Sequence, residues 1–295
     1  MNLRRLGYVL ALIYRFVVAW VGARIVSAAV LLPPTYMLLT SRYAKIFILV
    51  LFLLNLQEYA QLNPRKLGVS ASTGGVAAVS AAVVAMAMSA PEWHVTRAFA
   101  ALHLHMLQTV ALPSTIQMKA PAAFAVLDVA FVTLSYKAMM DLDDLKCTIY
   151  AASTPFIIDT GALLAGRNLK RYFPQLESYE ATLREISPKK TIIGYVGGLI
   201  TSFAWVLASK SIGLMPEALE VGLGLDPSAI CGFALASFLG GAIGDLFESR
   251  LKRLSLVKDS GFLMGAFGGV FDRMDSVIGS VLFVFWVARK SEGAT

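Results

Sequence analysis

The sequence predicts an all-α, polytopic integral membrane protein of about nine spans. Two observations carry this. Hydrophobic residues make up 57% of the chain and charged residues only 15%, with a mean hydropathy of +0.67, whereas a soluble domain has about 25% charged residues. The apolar residues also fall in blocks of about 20, the length at which a helix crosses a bilayer. A net charge of +7 would raise nucleic acid as the partner of a soluble protein. Here it is better explained by basic loops facing anionic lipid headgroups, so no nucleic-acid partner is expected.

Residues 1–23 carry Arg4, Arg5 and Arg15 among apolar side chains and show no cleavage-site pattern. They read as an amphipathic helix on the cytoplasmic surface, with a tenth span as the alternative. Spans follow at about 24–40, 44–62, 68–88, 97–113, 121–140, 147–166, 191–209, 227–246 and 277–290. Residues 24–140 form an N-terminal transmembrane region and 141–295 a catalytic one. With the N-terminus inside, segments 1–24, 63–67, 113–120, 167–190 and 247–275 hold 18 of the 26 Lys and Arg. The positive-inside rule therefore turns both long basic loops to the cytoplasm.

Charges within spans are expensive and deserve naming. Glu58, near the inner end of the second span, has Arg65 and Lys66 as nearby pairing candidates. Asp128, inside the fifth, calls for a structural partner on a neighbouring helix. His103 and His105 point to opposite sides of a helix and cannot easily share a metal; both read as packing or interfacial residues, with His94 in an outer loop. Cys147 and Cys231 lie in apolar segments, with no disulfide or zinc pattern.

The chemistry is concentrated in Gly244–Ser276, where Asp245, Glu248, Asp259, Asp272 and Asp275 alternate with Arg250, Lys252, Arg253, Lys258 and Arg273 around a glycine-broken centre. Asp245 and Glu248 are three apart, as are Asp272 and Asp275, so each pair shares a helix face. Paired carboxylates favour a hard divalent ion such as Mg²⁺, which keeps positions for phosphate oxygens. The cations would meet phosphates, and the glycines would let backbone N–H groups approach them. That combination suits phosphoryl or nucleotidyl transfer. A second group precedes it: Asp159-Thr-Gly-Ala, then Ser187-Pro188-Lys189-Lys190-Thr191 and Gly194, Gly197 and Gly198. Ser187-Pro188 fits a helix start with Ser as cap, and the lysines with the free N–H groups of that turn make an anion site. The glycines serve close helix packing, at the site or simply between helices.

These motifs resemble the phosphatidate cytidylyltransferase (CDP-diacylglycerol synthase) family. Its signature is matched at Ser249, Leu251, Lys252, Arg253, Lys258, Asp259, Gly261, Gly265, Gly268, Gly269, Val270, Asp272, Arg273, Met274 and Asp275. Phe267 stands where the family has His, and Ile193 where it has Glu. Specific motifs cover about residues 145–290; the first half matches only by its pattern of spans. The resemblance implies a nucleotidyltransferase joining CTP and phosphatidic acid into CDP-diacylglycerol and pyrophosphate, a step of phospholipid biosynthesis. It implies Mg²⁺ on Asp245, Asp272 and Asp275, with a second cation such as K⁺. Catalytic roles fall to Lys258, Asp259, Asp272 and Arg273. Substrate contacts fall to Ser187, Lys189, Lys190, Thr191, Lys252, Arg253, Gly268 and Gly269, and Asp159 and Glu248 support the site. A homodimer in a bacterial-type plasma membrane is implied, or in an ER or organelle membrane of a eukaryote, with the site facing the cytoplasm. A CTP-dependent lipid-alcohol kinase, a CDP-archaeol-type synthase and a transporter are the alternatives.

Overall fold

The computed structural model describes residues 37–62, 78–85, 92–113, 117, 121–142, 144–169, 172, 173, 175, 176, 185–264 and 268–292. Every long element among them is a helix: α1 (Ala44–Leu62), α2 (Glu92–Ala111), α3 (Pro121–Met140), α4 (Leu145–Leu169), α5 (Ile192–Ser211), α6 (Glu217–Leu223), α7 (Pro227–Leu254) and α8 (Phe271–Glu292). A further helical stretch covers 78–85. Five of these, α1, α3, α4, α5 and α7, are long and apolar enough to cross a membrane.

The expected spans at 44–62 and 121–140 coincide with α1 and α3, and those at 147–166 and 191–209 with α4 and α5. Two expectations need correcting. The span at 227–246 continues as helix to Leu254, so Ser249, Lys252 and Arg253 stand on α7 and not in a loop. The last helix begins at Phe271, which puts Asp272 and Asp275 on its first turns. Only 13 uncharged residues separate Asp275 from Arg289, so α8 does not meet the length and polarity of a simple span. His94, expected in a loop, belongs to α2. Residues 1–23, Arg65, Lys66, most of 24–40 and much of 68–88 lie outside the described residues.

α8 is the hub. It touches α1, α2, α3, α4, α6 and α7, and Phe271, Val277, Ile278, Val281, Leu282, Val284 and Val287 along it are all buried. A helix whose middle turns are buried over most of their circumference belongs in the centre of a bundle. The outer faces carry Ile46, Leu53, Leu104, Ile200 and Leu207, all exposed, as a lipid-facing surface requires. Polar side chains turn inward and pair. The Trp205 indole N–H donates to Thr154 at 3.0 Å, Thr133 to Ser80 at 3.1 Å, and Ser202 to the Ala234 carbonyl at 2.7 Å. In lipid, such bonds and close packing hold helices together where apolar burial alone cannot.

Small residues set the closest approaches. A Cβ on Gly161 of α4 would collide with Thr201 of α5, and one on Gly197 with Ala165. Gly194 and Gly198 meet Ala162 in the same seam, so this glycine group serves helix packing. α7 and α8 cross through Gly240, Gly244 and Gly279: a Cβ on Gly240 would lie 2.5 Å from the Gly279 carbonyl oxygen, and one on Gly279 would strike the Gly240 carbonyl.

Asp128 has the neighbouring partners its burial requires. The Tyr59 hydroxyl donates to its Oδ2 at 2.8 Å, and His105 Nε2 lies 2.8 Å from its Oδ1. His103 faces elsewhere, with Nε2 at 3.1 Å from the Gly279 carbonyl. Asp128→Ala should lower stability by about 1–3 kcal/mol by stranding the buried hydroxyl and ring; a thermal melt in detergent reads this.

Candidate active site

The α7–α8 crossing builds the site. Gly244 abuts the Asp275 carbonyl so closely that no side chain fits, and the next turn of each helix then presents acids to the other. A cavity of about 400 Å³ opens there. It is lined by Asp245, Glu248 and Lys252 of α7, Asp272, Arg273, Asp275 and Ser276 of α8, and Asp259 of the connecting segment. Asp159 and Thr160 of α4 close the far side, beside the half-exposed Phe156 and Leu163. The two acid pairs and Asp159 are thus brought together from three separate helices.

Lys252 is the internal counter-ion. Its ammonium lies 2.7 Å from Glu248 Oε2 and 2.6 Å from Asp272 Oδ1. Glu248 is fully buried, and its Oε1 accepts no hydrogen bond. Asp272 also takes the N–H groups of Ser260 and Gly269 on Oδ2, at 2.9 and 2.8 Å. Asp272 therefore acts as a clamp that fastens the connecting segment to α8. Asp159 accepts from the Ser276 hydroxyl at 3.0 Å, and Asp275 from the Ser276 N–H at 2.8 Å.

The Ser-Pro-Lys-Lys-Thr segment arrives differently from expectation. Thr191, not Ser187, caps α5, accepting from the Gly194 N–H at 3.0 Å. Ser187 instead opens a turn closed by the Lys190 N–H on its carbonyl at 3.1 Å. Both residue types can cap; the turn around Pro188 decides which does, delaying the helix by four residues. The turn delivers Lys190 to an ion pair with Asp245. Burial pulls the Lys190 ammonium toward neutrality, but the Asp245 and Asp159 carboxylates outweigh it and hold its pKa above the ordinary lysine range. Arg253 secures the same turn through the Ile186 carbonyl at 3.2 Å. Its guanidinium also reaches the Val257 carbonyl, so it acts as a staple outside the cavity lining. Lys189 and Lys258 are exposed and do not line the cavity.

The glycine expectation is corrected most sharply. Gly268 takes a left-handed φ of +85°, which a glycine adopts without strain. However, the N–H groups around it point at protein carboxylates. The Gly269 N–H serves Asp272, while those of Val270 and Phe271 serve Glu58. They are therefore committed inside the protein and not offered to a phosphate. Arg65 and Lys66, the pairing candidates for Glu58, lie outside the described residues; among the described ones Glu58 accepts from Ser260, Val270 and Phe271. Its signal in the sequence was only that a carboxylate stood inside a span. Ile193 is buried at the start of α5, outside the cavity lining, and Phe267 lies outside the described residues.

The donor set suits a hard cation: all oxygen, with the orphaned Glu248 Oε1 beside Asp245 and Asp275. Among the described residues no three His, Cys, Asp or Glu side chains already form a ligand set. Mg²⁺ does not need one, since it commonly takes one or two carboxylates together with waters and substrate phosphates.

Known proteins resemble this chain over most of its length. Phosphatidate cytidylyltransferase of Staphylococcus aureus (strain COL) is 29% identical over 238 residues, covering 78% of this chain and 84% of that one. The Staphylococcus haemolyticus (strain JCSC1435) protein of the same name is 29% identical over 237 residues, with the same coverage. That of Staphylococcus saprophyticus is 32% identical over 157 residues, covering 52% of this chain and 54% of its own. No solved structure matches the chain. A model of the Cytidylyltransferase family matches residues 13–290, and with the acid pairs of α7 and α8 on one cavity the chain belongs to that family of nucleotidyltransferases.

Proposed function

We propose that this protein is a phosphatidate cytidylyltransferase: it takes CTP and phosphatidic acid to CDP-diacylglycerol and pyrophosphate at the α7–α8 cavity. The supporting observation is the cavity itself, where acids and cations from three helices meet beside the exposed apolar edge of Phe156 and Leu163. A phosphate on a lipid can reach such a place while its chains stay in the bilayer. We place the cavity at the cytoplasmic membrane face, where CTP is found, in a bundle of about nine spans.

A phosphatidic acid oxygen attacks the α-phosphorus of CTP, a P–O bond forms, and the bond to the β-phosphate oxygen breaks to release pyrophosphate. Arg273, exposed on the cavity wall, contacts the phosphates, and its planar fork suits paired oxygens. Lys190, fully charged, neutralises Asp245 and stands ready for the triphosphate. Asp245 and Asp275, with Glu248, would hold Mg²⁺. Bound there, the ion would offset phosphate charge as a Lewis acid. Asp272 and Lys252 keep the acids in place, and Asp159 orients Ser276. Asp259 lines the mouth; Lys258 and Lys189, on the exposed rim, draw in the anionic substrates. A second cation and a homodimer belong to this reading.

Purified protein given CTP, Mg²⁺ and phosphatidic acid should release CDP-diacylglycerol and pyrophosphate in equal amounts. Asp275→Asn should lower kcat by about 100-fold or more. Release of CDP with a phosphorylated lipid would identify a kinase and refute the assignment.

A further inference from the structure

A buried side chain of the N-terminal half of the chain reaches the active-site segment. Glu58, near the end of α1, is 3% exposed. Its Oε1 accepts the Val270 N–H at 3.0 Å; its Oε2 accepts the Phe271 N–H at 2.9 Å and the Ser260 hydroxyl at 2.8 Å. Val270 and Phe271 stand where the segment connecting α7 to α8 runs into α8, and Ser260 stands earlier in that segment. Asp272 grips the same segment from the other side, through the N–H groups of Ser260 and Gly269. Two carboxylates, more than 200 positions apart in the chain, thus hold one loop between them.

Two motif glycines fit this arrangement. A Cβ on Gly261 would lie 2.5 Å from Glu58 Oε1, 2.9 Å from Cδ and 3.4 Å from Cγ; its three nearest neighbours all belong to Glu58. A Cβ on Gly269 would collide with Glu58 Oε2 and Ser260 Oγ. These positions lack side chains because the carboxylate fills the space. Burying that charge is offset by three donors and by the positive end of α8. Val270 and Phe271 directly precede Asp272 and Arg273. Fixing their N–H groups therefore fixes where α8 starts, and with it the direction in which Arg273 and Asp275 enter the cavity. Glu58 itself does not line the cavity.

We propose that Glu58 is a positioning residue: its carboxylate holds Ser260 and fixes the backbone at Val270 and Phe271, where α8 starts, so that Arg273 and Asp275 face the reacting phosphates. Its kinetic consequence rests on the reaction assigned above; its structural consequence does not. Glu58→Gln keeps the volume but cannot accept from all three donors. Amide exchange of Val270 and Phe271, measured by mass spectrometry on the full chain in detergent, should quicken about tenfold or more. In the CTP and phosphatidic acid assay, kcat per folded molecule should fall about 100-fold, the effect of a shift of about 1 Å. KM for CTP should stay within about threefold. Gly261→Ala should also lower kcat, but add little in a Glu58→Ala background, since direct neighbours are non-additive.

Unchanged exchange in Glu58→Gln overturns the proposal. So does faster exchange with kcat intact, or full additivity of Gly261→Ala with Glu58→Ala. A wild type that makes no CDP-lipid refutes the assigned reaction instead, and the exchange measurement then decides the role of Glu58 by itself.

Discussion

Gly279→Val should cut turnover about 100-fold and splay α7 from α8. A Cβ at this position already strikes the Gly240 carbonyl, with the Gly244 Cα 3.2 Å away. These are backbone atoms, which cannot rotate aside as a side chain would. The helices must separate, and overpacking of this kind costs about 1–3 kcal/mol or more. The effect on chemistry should be larger than the effect on stability. Asp245 and Glu248 face Asp275 and Arg273 because the two backbones touch at Gly240, Gly244 and Gly279, about one turn away. A shift of about 1 Å between them should lower kcat by about 100-fold. Gly232→Ala on α7 is the control, since a Cβ there meets nothing within 4 Å; it should leave kcat unchanged and should not lower the melting temperature. Paired thermal melts and turnover measurements on the two variants check this.

Lys252→Met should be the most destabilising single change at the site. It strands Glu248, which is fully buried, and removes one of the three donors to Asp272. Breaking a buried pair by removing one partner costs about 3–5 kcal/mol. The double variant Lys252→Met/Glu248→Gln should recover most of that loss, because the uncompensated charge is gone. It should not recover turnover, since Glu248 is assigned to the ion. Melting temperature and CDP-diacylglycerol formation, measured on the same preparations, separate the two effects.

Local periodicity made part of this site legible. Acids three apart on a helix share a face, so Asp245 with Glu248 and Asp272 with Asp275 could be grouped from spacing, and all four line one cavity. The lengths of the apolar blocks matched α1 and α3 to the residue and α4 and α5 to within three residues at each end. Partners distant in sequence were not legible. Nothing near Glu58 in the chain points to Val270, so the loop glycines read as a cradle for phosphate when their neighbours' N–H groups meet a protein carboxylate. Ser187 and Thr191 both have the chemistry of a cap, and only the turn between them selects Thr191. Lys258 and Lys252 look alike in the motif. The extension of α7 to Leu254 turns Lys252 inward, whereas Lys258, past the helix end, stays exposed.

Diffraction from crystals grown with Mn²⁺ and a non-hydrolysable CTP analogue, recorded at the manganese absorption edge, tests the central assignment most directly. The prediction is an anomalous peak in the α7–α8 cavity within coordination distance of Asp245 or Asp275, with the α-phosphate beside Arg273. A nucleotide bound elsewhere, or a manganese peak remote from these carboxylates, would contradict it.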